Sequence, residues 1–356
     1  MVAALAPNAR LLLVRMGALG DIVHALPVLS ALRRHRPDVA VDWLVDARYA
    51  GVLDLVEGLA HRVVVRAAAD SVRPGAVHFA GIPGIGRAIG WLRRRRYAAA
   101  LDLQGLIKSA VLARASGAGR VLGFERRALR EAQAAWAYTD AVAVDDRGHV
   151  VHKNLALLRP LAVPDAGVTF PWAAPTSAVV PSVCGDARVA SAGGFVLLNP
   201  GAAWENKRWP VEHFGALAQA IGERHGLPSV VTWGPGEQPR ADAVVAHANG
   251  HALVSPPTTL ADMLALAQAA RLCVSGDTGP LHLAASVGTP LVGLFGPTRP
   301  ERNGPWLAAD VSVSRAGACV CFHKRQCLEG QACIDRIAVA EVLEACSTRL
   351  AVGRVA

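Results

Sequence analysis

Val274-Ser275-Gly276-Asp277-Thr278-Gly279-Pro280-Leu281-His282 joins an apolar run to a helical pattern through a cluster of Gly, Asp and Thr. Leu272 to Ser275 reads as a short buried strand, and Leu281, Ala284, Ala285 and Val287 read as one short helix closed by Gly288. At such a junction unpaired backbone N–H groups and the positive end of a helix dipole converge, and Gly276 and Gly279 let an anion approach the backbone closely. Thr278 and His282 add side-chain donors. The stretch reads as a phosphate cradle; the local alternative is that Asp277 or Thr278 only caps the helix.

Strand and helix patterns alternate outward from this junction. Arg10 to Arg15, Val39 to Val45, Arg62 to Val65, Ala98 to Leu103, Val121 to Phe124 and Ala141 to Val144 read as strands, with helical patterns filling most gaps. The pattern then fades into Pro, Ala, Ser and Gly over 164–194, a linker. A second series follows, with strands at Phe195 to Leu198, Ser229 to Trp233, Leu253 to Ser255, Leu272 to Ser275 and Leu291 to Phe295. Helices are expected near Val211 to His225, Gln238 to Ala248 and Leu260 to Ala270. The expectation is an α/β chain of two Rossmann-like, doubly wound domains, 1–163 and 195–337. A closing helix falls within 338–356, with the N-terminal domain as one candidate partner.

Composition bounds the class. A chain of 356 residues exceeds one ordinary core, and 52% apolar residues with 34 glycines is globular α/β usage. Arg15, Asp21 and His24 interrupt the apolar N-terminal region, which spoils both a membrane span and a signal peptide and makes a cytoplasmic location the expectation. The formal charge of +9 favours anionic partners, but 5% aromatics without basic–aromatic interleaving argues against nucleic acid. Arg93-Arg94-Arg95-Arg96 closes a helical segment, where it either complements the dipole or meets an anionic surface.

The N-terminal run Leu13-Val14-Arg15-Met16-Gly17-Ala18-Leu19-Gly20-Asp21-Ile22-Val23-His24-Ala25-Leu26-Pro27 is again strand, glycine turn and helix. It is neither a Gly-x-Gly-x-x-Gly nor a P-loop, which sets dehydrogenases and P-loop enzymes aside. Asp21 by itself is consistent with a helix cap. The run resembles the opening of the ADP-heptose transferases of glycosyltransferase family 9. Three further segments share the resemblance: Leu101-Asp102-Leu103-Gln104-Gly105-Leu106-Ile107-Lys108-Ser109, Asn199-Pro200-Gly201-Ala202-Ala203-Trp204-Glu205-Asn206-Lys207-Arg208-Trp209-Pro210, and Ser275 to His282.

The resemblance implies a GT-B architecture, two domains facing a cleft, with the acceptor on the N-terminal domain and the nucleotide-linked donor on the C-terminal one. It implies that Asp21 is the general base that deprotonates an acceptor hydroxyl for inverting attack on the anomeric carbon of ADP-heptose. Lys207 matches the family's donor-phosphate lysine. With no Asp-x-Asp motif, Lys207 and the N–H groups near Thr278 and Gly279 are assigned the leaving diphosphate, with no metal and no cofactor. Glu237, in Trp233-Gly234-Pro235-Gly236-Glu237, matches the ribose carboxylate, and Thr258 falls at the adenine. The implied donor set is Gly20, Ala202, Ala203, Lys207, Glu237, Thr258, Asp277, Thr278, Gly279 and His282. Ala202 and Ala203 replace the hydroxyl residues of some relatives, leaving backbone contacts there.

For the acceptor, the expected partner is a lipid A-linked core oligosaccharide met at the inner membrane by peripheral contact. Gln104, Lys108, Arg93 and Arg94 are its candidate recognition residues, because Lys108 opposes its own helix dipole and so invites an external anion. Cys319, Cys321, Cys327 and Cys333 cluster without a standard zinc spacing and are similar to the tails of heptosyltransferase II-like members. Two other functions fit the same residues: a heptosyltransferase acting on a protein, and a non-catalytic nucleotide-sugar-binding protein.

Overall fold

The computed structural model describes residues 5–66, 76–165, 167–322, 324–327 and 330–354. It divides into two compact units, Met1–Ala174 and Pro175–Ala356.

The first unit carries β1 (Arg10–Val14), β2 (Ala40–Asp46), β3 (His61–Arg66), β4 (Ala76–Ala80), β5 (Ala99–Asp102), β6 (Arg120–Phe124) and β7 (Asp140–Val142). They form one sheet in the order β4-β3-β2-β1-β5-β6-β7, every pair parallel. Its helices are α1 (Leu19–Val23), α2 (Leu26–His35), α3 (Gly81–Arg94), α4 (Ile107–Ala115) and α5 (Val150–Leu155). Leu11, Leu12, Leu13 and Val14 are all fully buried, which is why the central strand reads as an unbroken apolar run rather than an alternating one.

In the second unit β8 (Val196–Asn199), β9 (Ser229–Val231), β10 (Ala252–Val254), β11 (Leu272–Gly276), β12 (Leu291–Phe295) and β13 (Val311–Ser314) take the order β10-β9-β8-β11-β12-β13, again parallel. The helices are α6 (Val179–Cys184), α7 (Ala187–Ala192), α8 (Val211–His225), α9 (Gln238–Ala246), α10 (Leu260–Ala269), α11 (Gly279–Ser286), α12 (Pro300–Asn303) and α13 (Val339–Val352). Both sheets are doubly wound, with strand order reversing at β1/β5 and at β8/β11. No helix among the described residues is long and apolar enough to cross a membrane.

Three details differ from the sequence expectations. Strands β4 and β13 lie outside the predicted set; β13, Val-Ser-Val-Ser, is an edge strand too short to show a clear period. The stretch expected to be a linker contains α6 and α7. Asp186 Oδ1 accepts from the Arg188 amide at 3.0 Å to cap α7, and the Ser177 hydroxyl donates to Asp262 on α10 at 2.7 Å. Helix α13 lays its apolar face on α8 and on β12 and β13 of its own unit, with Val342 and Cys346 fully buried; positions 355–356 of the expected closing segment lie outside the described residues.

That packing encloses an ion pair. Arg349 Nε donates to Asp310 Oδ1 at 2.7 Å with both side chains out of solvent, and the same oxygen accepts from the Leu291 amide at 3.0 Å. Burial pushes the Asp310 carboxyl above its ordinary value, and Arg349 opposes the rise. Removing the cation strands a buried carboxylate, so Arg349→Met is expected to lower unfolding free energy by about 3 kcal/mol. An unchanged urea midpoint would show that α13 docks without the pair.

Candidate functional site

In a doubly wound sheet, ligands bind beyond the carboxyl ends of the strands where the order reverses. In the second unit those ends belong to β8 and β11. The loop after β8 turns through a short 3-10 segment, Glu205–Lys207, and the loop after β11 leads directly into α11. A Cβ on Gly276 would lie 2.7 Å from the Lys207 carbonyl, so the two loops approach this closely only over a glycine.

Asp277 is the hub. Its Oδ2 accepts from Lys207 Nζ at 2.6 Å and from the Thr298 hydroxyl at 2.7 Å, while Oδ1 pairs with His282 Nε2 at 3.1 Å. Lys207 Nζ also donates to the Asp277 carbonyl at 3.2 Å and lies 4.6 Å from the Trp204 ring centroid. Burial alone would raise the Asp277 carboxyl, but the His282 bond and the Lys207 charge outweigh it and hold it well below the carboxylate range. The side chain therefore does not cap α11. Thr278 occupies the cap position, yet its hydroxyl meets Asn199 Nδ2 and Ser275 Oγ, both at 3.2 Å, and α11 has no side-chain cap. The helix begins with its first N–H groups uncapped beside Lys207, Gly279 among them, an arrangement suited to an anion.

The other expected donor residues divide. The Ala202 carbonyl accepts from Arg208 Nε at 2.8 Å and Ala202 is buried, whereas Ala203 is exposed. Glu237 packs against this loop: a Cβ on Gly201 would sit 2.1 Å from its Oε2, which accepts from the Gly234 amide at 3.1 Å. Thr258 is half-buried before α10, and the cap of that helix is Thr259, whose hydroxyl accepts from the Asp262 amide at 3.1 Å. Gly20 is in α1 next to Asp21, so it belongs to the first unit's constellation.

In the first unit the switch-point strands are β1 and β5. Asp21 lies in the first turn of α1, 36% exposed, and Arg15 Nη2 reaches its Oδ2 at 2.6 Å. The Ala18 amide donates to the same oxygen at 3.2 Å, so the capping reading is half right. Its Oδ1 has no partner among the described residues. Arg15 in turn donates through Nη1 to the Leu103 carbonyl at 2.5 Å, tying β1 to the loop after β5. Gln104 Oε1 accepts from the Met16 amide at 2.9 Å, and Lys108 stands exposed in the first turn of α4. Beneath them Asp102 is fully buried. Burial raises its carboxyl, opposed by bonds from the Gln104 and Gly105 amides, Tyr138 and Ser109.

Arg93 and Arg94 do not join this group. Helix α3 runs antiparallel to the sheet, so its end lies where β5 begins, and β5 separates it from Gln104 by roughly 13 Å of strand. Arg93 Nε donates to the Ala115 carbonyl at 3.0 Å, closing a helix end. Expecting them on one surface with Lys108 is corrected by this topology.

Sequence reasoning missed Arg15, Thr298 and Asp102 as site residues. Arg15 and Asp102 were legible, since Arg15 directly follows one central strand and Asp102 ends the other, whereas Thr298 reaches Asp277 only through the tertiary fold. Among the described residues no group of three or more His, Cys, Asp or Glu side chains is arranged to hold a metal ion. Cys321 and Cys327 bring their sulfurs to 3.3 Å, and burial, then Cys319, pushes the Cys333 thiol up to about 12.

The low folded-state pKa of Asp277 makes a stability statement. Against an unfolded value of about 3.9, it contributes stability present above about pH 4 and lost as pH falls below. Asp277→Asn should be less stable at pH 7, and its disadvantage should shrink by pH 3. Urea unfolding at both pH values measures this; a disadvantage equal at the two would disprove the charge pairing.

Comparison with known proteins places this geometry. The family model for glycosyltransferase family 9 (heptosyltransferase) matches residues 85–332. Lipopolysaccharide heptosyltransferase 1 of Pseudomonas aeruginosa is 29% identical over 331 residues, covering 89% of this chain and 87% of the relative. The enzyme of the same name from Escherichia coli K12 is 27% identical over 299 residues, covering 83% and 90%. Among solved structures, the family 9 glycosyltransferase of Veillonella parvula superimposes with a TM-score of 0.75 at 19% identity, over 96% of this chain and 97% of that one. Escherichia coli heptosyltransferase WaaC with ADP does so at 0.71 and 20%, over 96% and 99%. The shared fold is the α/β GT-B architecture. Since the family match begins in α3 and runs through β5 and both switch-point loops of the second unit, as far as position 332, the chain belongs to glycosyltransferase family 9 and is a glycosyltransferase of the heptosyltransferase kind.

Proposed function

We propose that this enzyme transfers heptose from ADP-L-glycero-D-manno-heptose to the Kdo/heptose inner core of lipid A-linked lipopolysaccharide, inverting the anomeric centre without a metal. The observation that carries the reading is the state of Asp21: Oδ2 is anchored by Arg15 and the Ala18 amide, Oδ1 has no partner among the described residues, and the side chain is 36% exposed. A general base needs an oriented lone pair within reach of the proton it takes. The acceptor hydroxyl gives its proton to Oδ1 as its oxygen bonds to the anomeric carbon. The bond from that carbon to the phosphate oxygen breaks, and ADP leaves with the electron pair.

On the second unit the uncapped N-terminus of α11 and Lys207 meet the diphosphate, where charge grows on the departing oxygen. Glu237, beside the loop holding Ala202, takes the ribose hydroxyls, and the backbone at Thr258 takes the adenine. His282 supports the site through Asp277 rather than by direct contact. Gln104 and Lys108 receive the acidic acceptor sugars, and the enzyme works at the cytoplasmic face of the inner membrane by peripheral contact. The names of the relatives support donor and acceptor alike.

Asp21→Asn should keep ADP affinity while turnover falls by about two to four orders of magnitude; wild-type turnover in this variant would return Asp21 to helix capping. Activity should persist in excess EDTA, and loss restored by magnesium would overturn the metal-free mechanism. Lys108→Glu should raise the acceptor KM and flatten its salt dependence with the donor KM unchanged. Unchanged acceptor kinetics would remove Lys108 from recognition.

A further inference from the structure

We propose that Arg325, presented by the cysteine-bracketed loop, is a second cation for the donor diphosphate; this rests on the donor-site reading above. Lys207 cannot supply that charge alone. Its ammonium is held at 2.6 Å by the Asp277 carboxylate, the two side chains being 14% and 3% exposed, so the pair is close to neutral before any ligand arrives. A departing diphosphate carries more than one negative charge, and the α11 N-terminus contributes only a partial positive one.

Arg325 stands next in line. Its guanidinium carbon is 5.9 Å from the centroid of the Trp204 ring, the same ring that Lys207 Nζ approaches to 4.6 Å. Its side chain is exposed, and among the described residues no carboxylate pairs with it. A guanidinium with no carboxylate partner among the described residues, sharing an indole with the donor lysine, is suited to bidentate phosphate contact.

The loop that carries it is tied to the donor site. Asn206 Nδ2, on a side chain 3% exposed, donates to the Lys324 carbonyl at 2.9 Å, so the residue before Lys207 holds the residue before Arg325. The Lys324 amide donates to the Cys321 carbonyl at 2.9 Å, and the Cys321 and Cys327 sulfurs meet at 3.3 Å, which closes the loop at its base. The cysteine cluster, otherwise outside the reaction, thereby acquires a role in fixing one arginine.

Calorimetric titration of the full chain with ADP and with AMP tests this, because the two differ by the outer phosphate. Arg325→Ala should weaken ADP about tenfold, the scale of one charge-assisted contact, and change AMP less than about twofold. Arg325→Lys should recover part of the loss. Asn206→Ala, checked for an intact melting transition, should reproduce the ADP defect and fail to add to Arg325→Ala, as partners in one contact do. Equal ADP affinity in Arg325→Ala and the parent chain would overturn the inference and leave the donor site standing. A parent chain that binds no nucleoside diphosphate would overturn both.

Discussion

A parallel sheet whose crossovers leave in opposite directions from its central strand pair cannot cover the ends of those two strands with a helix. This constraint acts twice in the chain, at β1/β5 and at β8/β11, and it leaves four loops free to carry chemistry. Around them the design is ordinary: central strands buried on both faces and helices filling the flanks. The loops carry the departures, where a glycine admits a neighbouring backbone and charged side chains go out of solvent.

Each unit places one cation–carboxylate pair at its switch point, and the two pairs are built in opposite senses. Arg15 is the buried member of the first, 9% exposed, and Asp21 is open. In the second the carboxylate of Asp277 is the enclosed member and Lys207 is the more open one. The enclosed partner fixes orientation; in the function proposed above, the open partner is the one that meets the ligand. A pair with an accessible carboxylate suits proton abstraction, and one with an accessible ammonium suits developing negative charge. Mutual pairing also explains how such charges are tolerated, since a lone buried ion would cost several kcal/mol.

Supporting bonds give these pairs their stiffness. Arg15 is held by the Leu103 carbonyl, and Asp277 by Thr298 and His282. The Arg349–Asp310 pair is a third instance with no open member, and correspondingly it serves only to dock α13.

Much of this was legible in the sequence because it is local. Apolar runs such as Leu11–Val14 declare doubly buried strands, glycine turns declare strand-to-helix junctions, and the order of such junctions implies two doubly wound units. Asp277 and His282 stand inside such a junction and could be named from the local pattern, whereas Asp21 and Lys207 are named through the family resemblance of their segments. Tertiary structure alone decided which groups meet. Lys207 and Asp277 are 70 positions apart and touch only because β8 and β11 are neighbours, and Thr298 joins them from the loop after β12. It also decided that Arg93 and Arg94 stand at the opposite end of the strands from Lys108, which composition and net charge could not reveal. Periodicity and turn chemistry act over a few residues, whereas the pairing of strands distant in sequence is settled by the packing of the whole sheet.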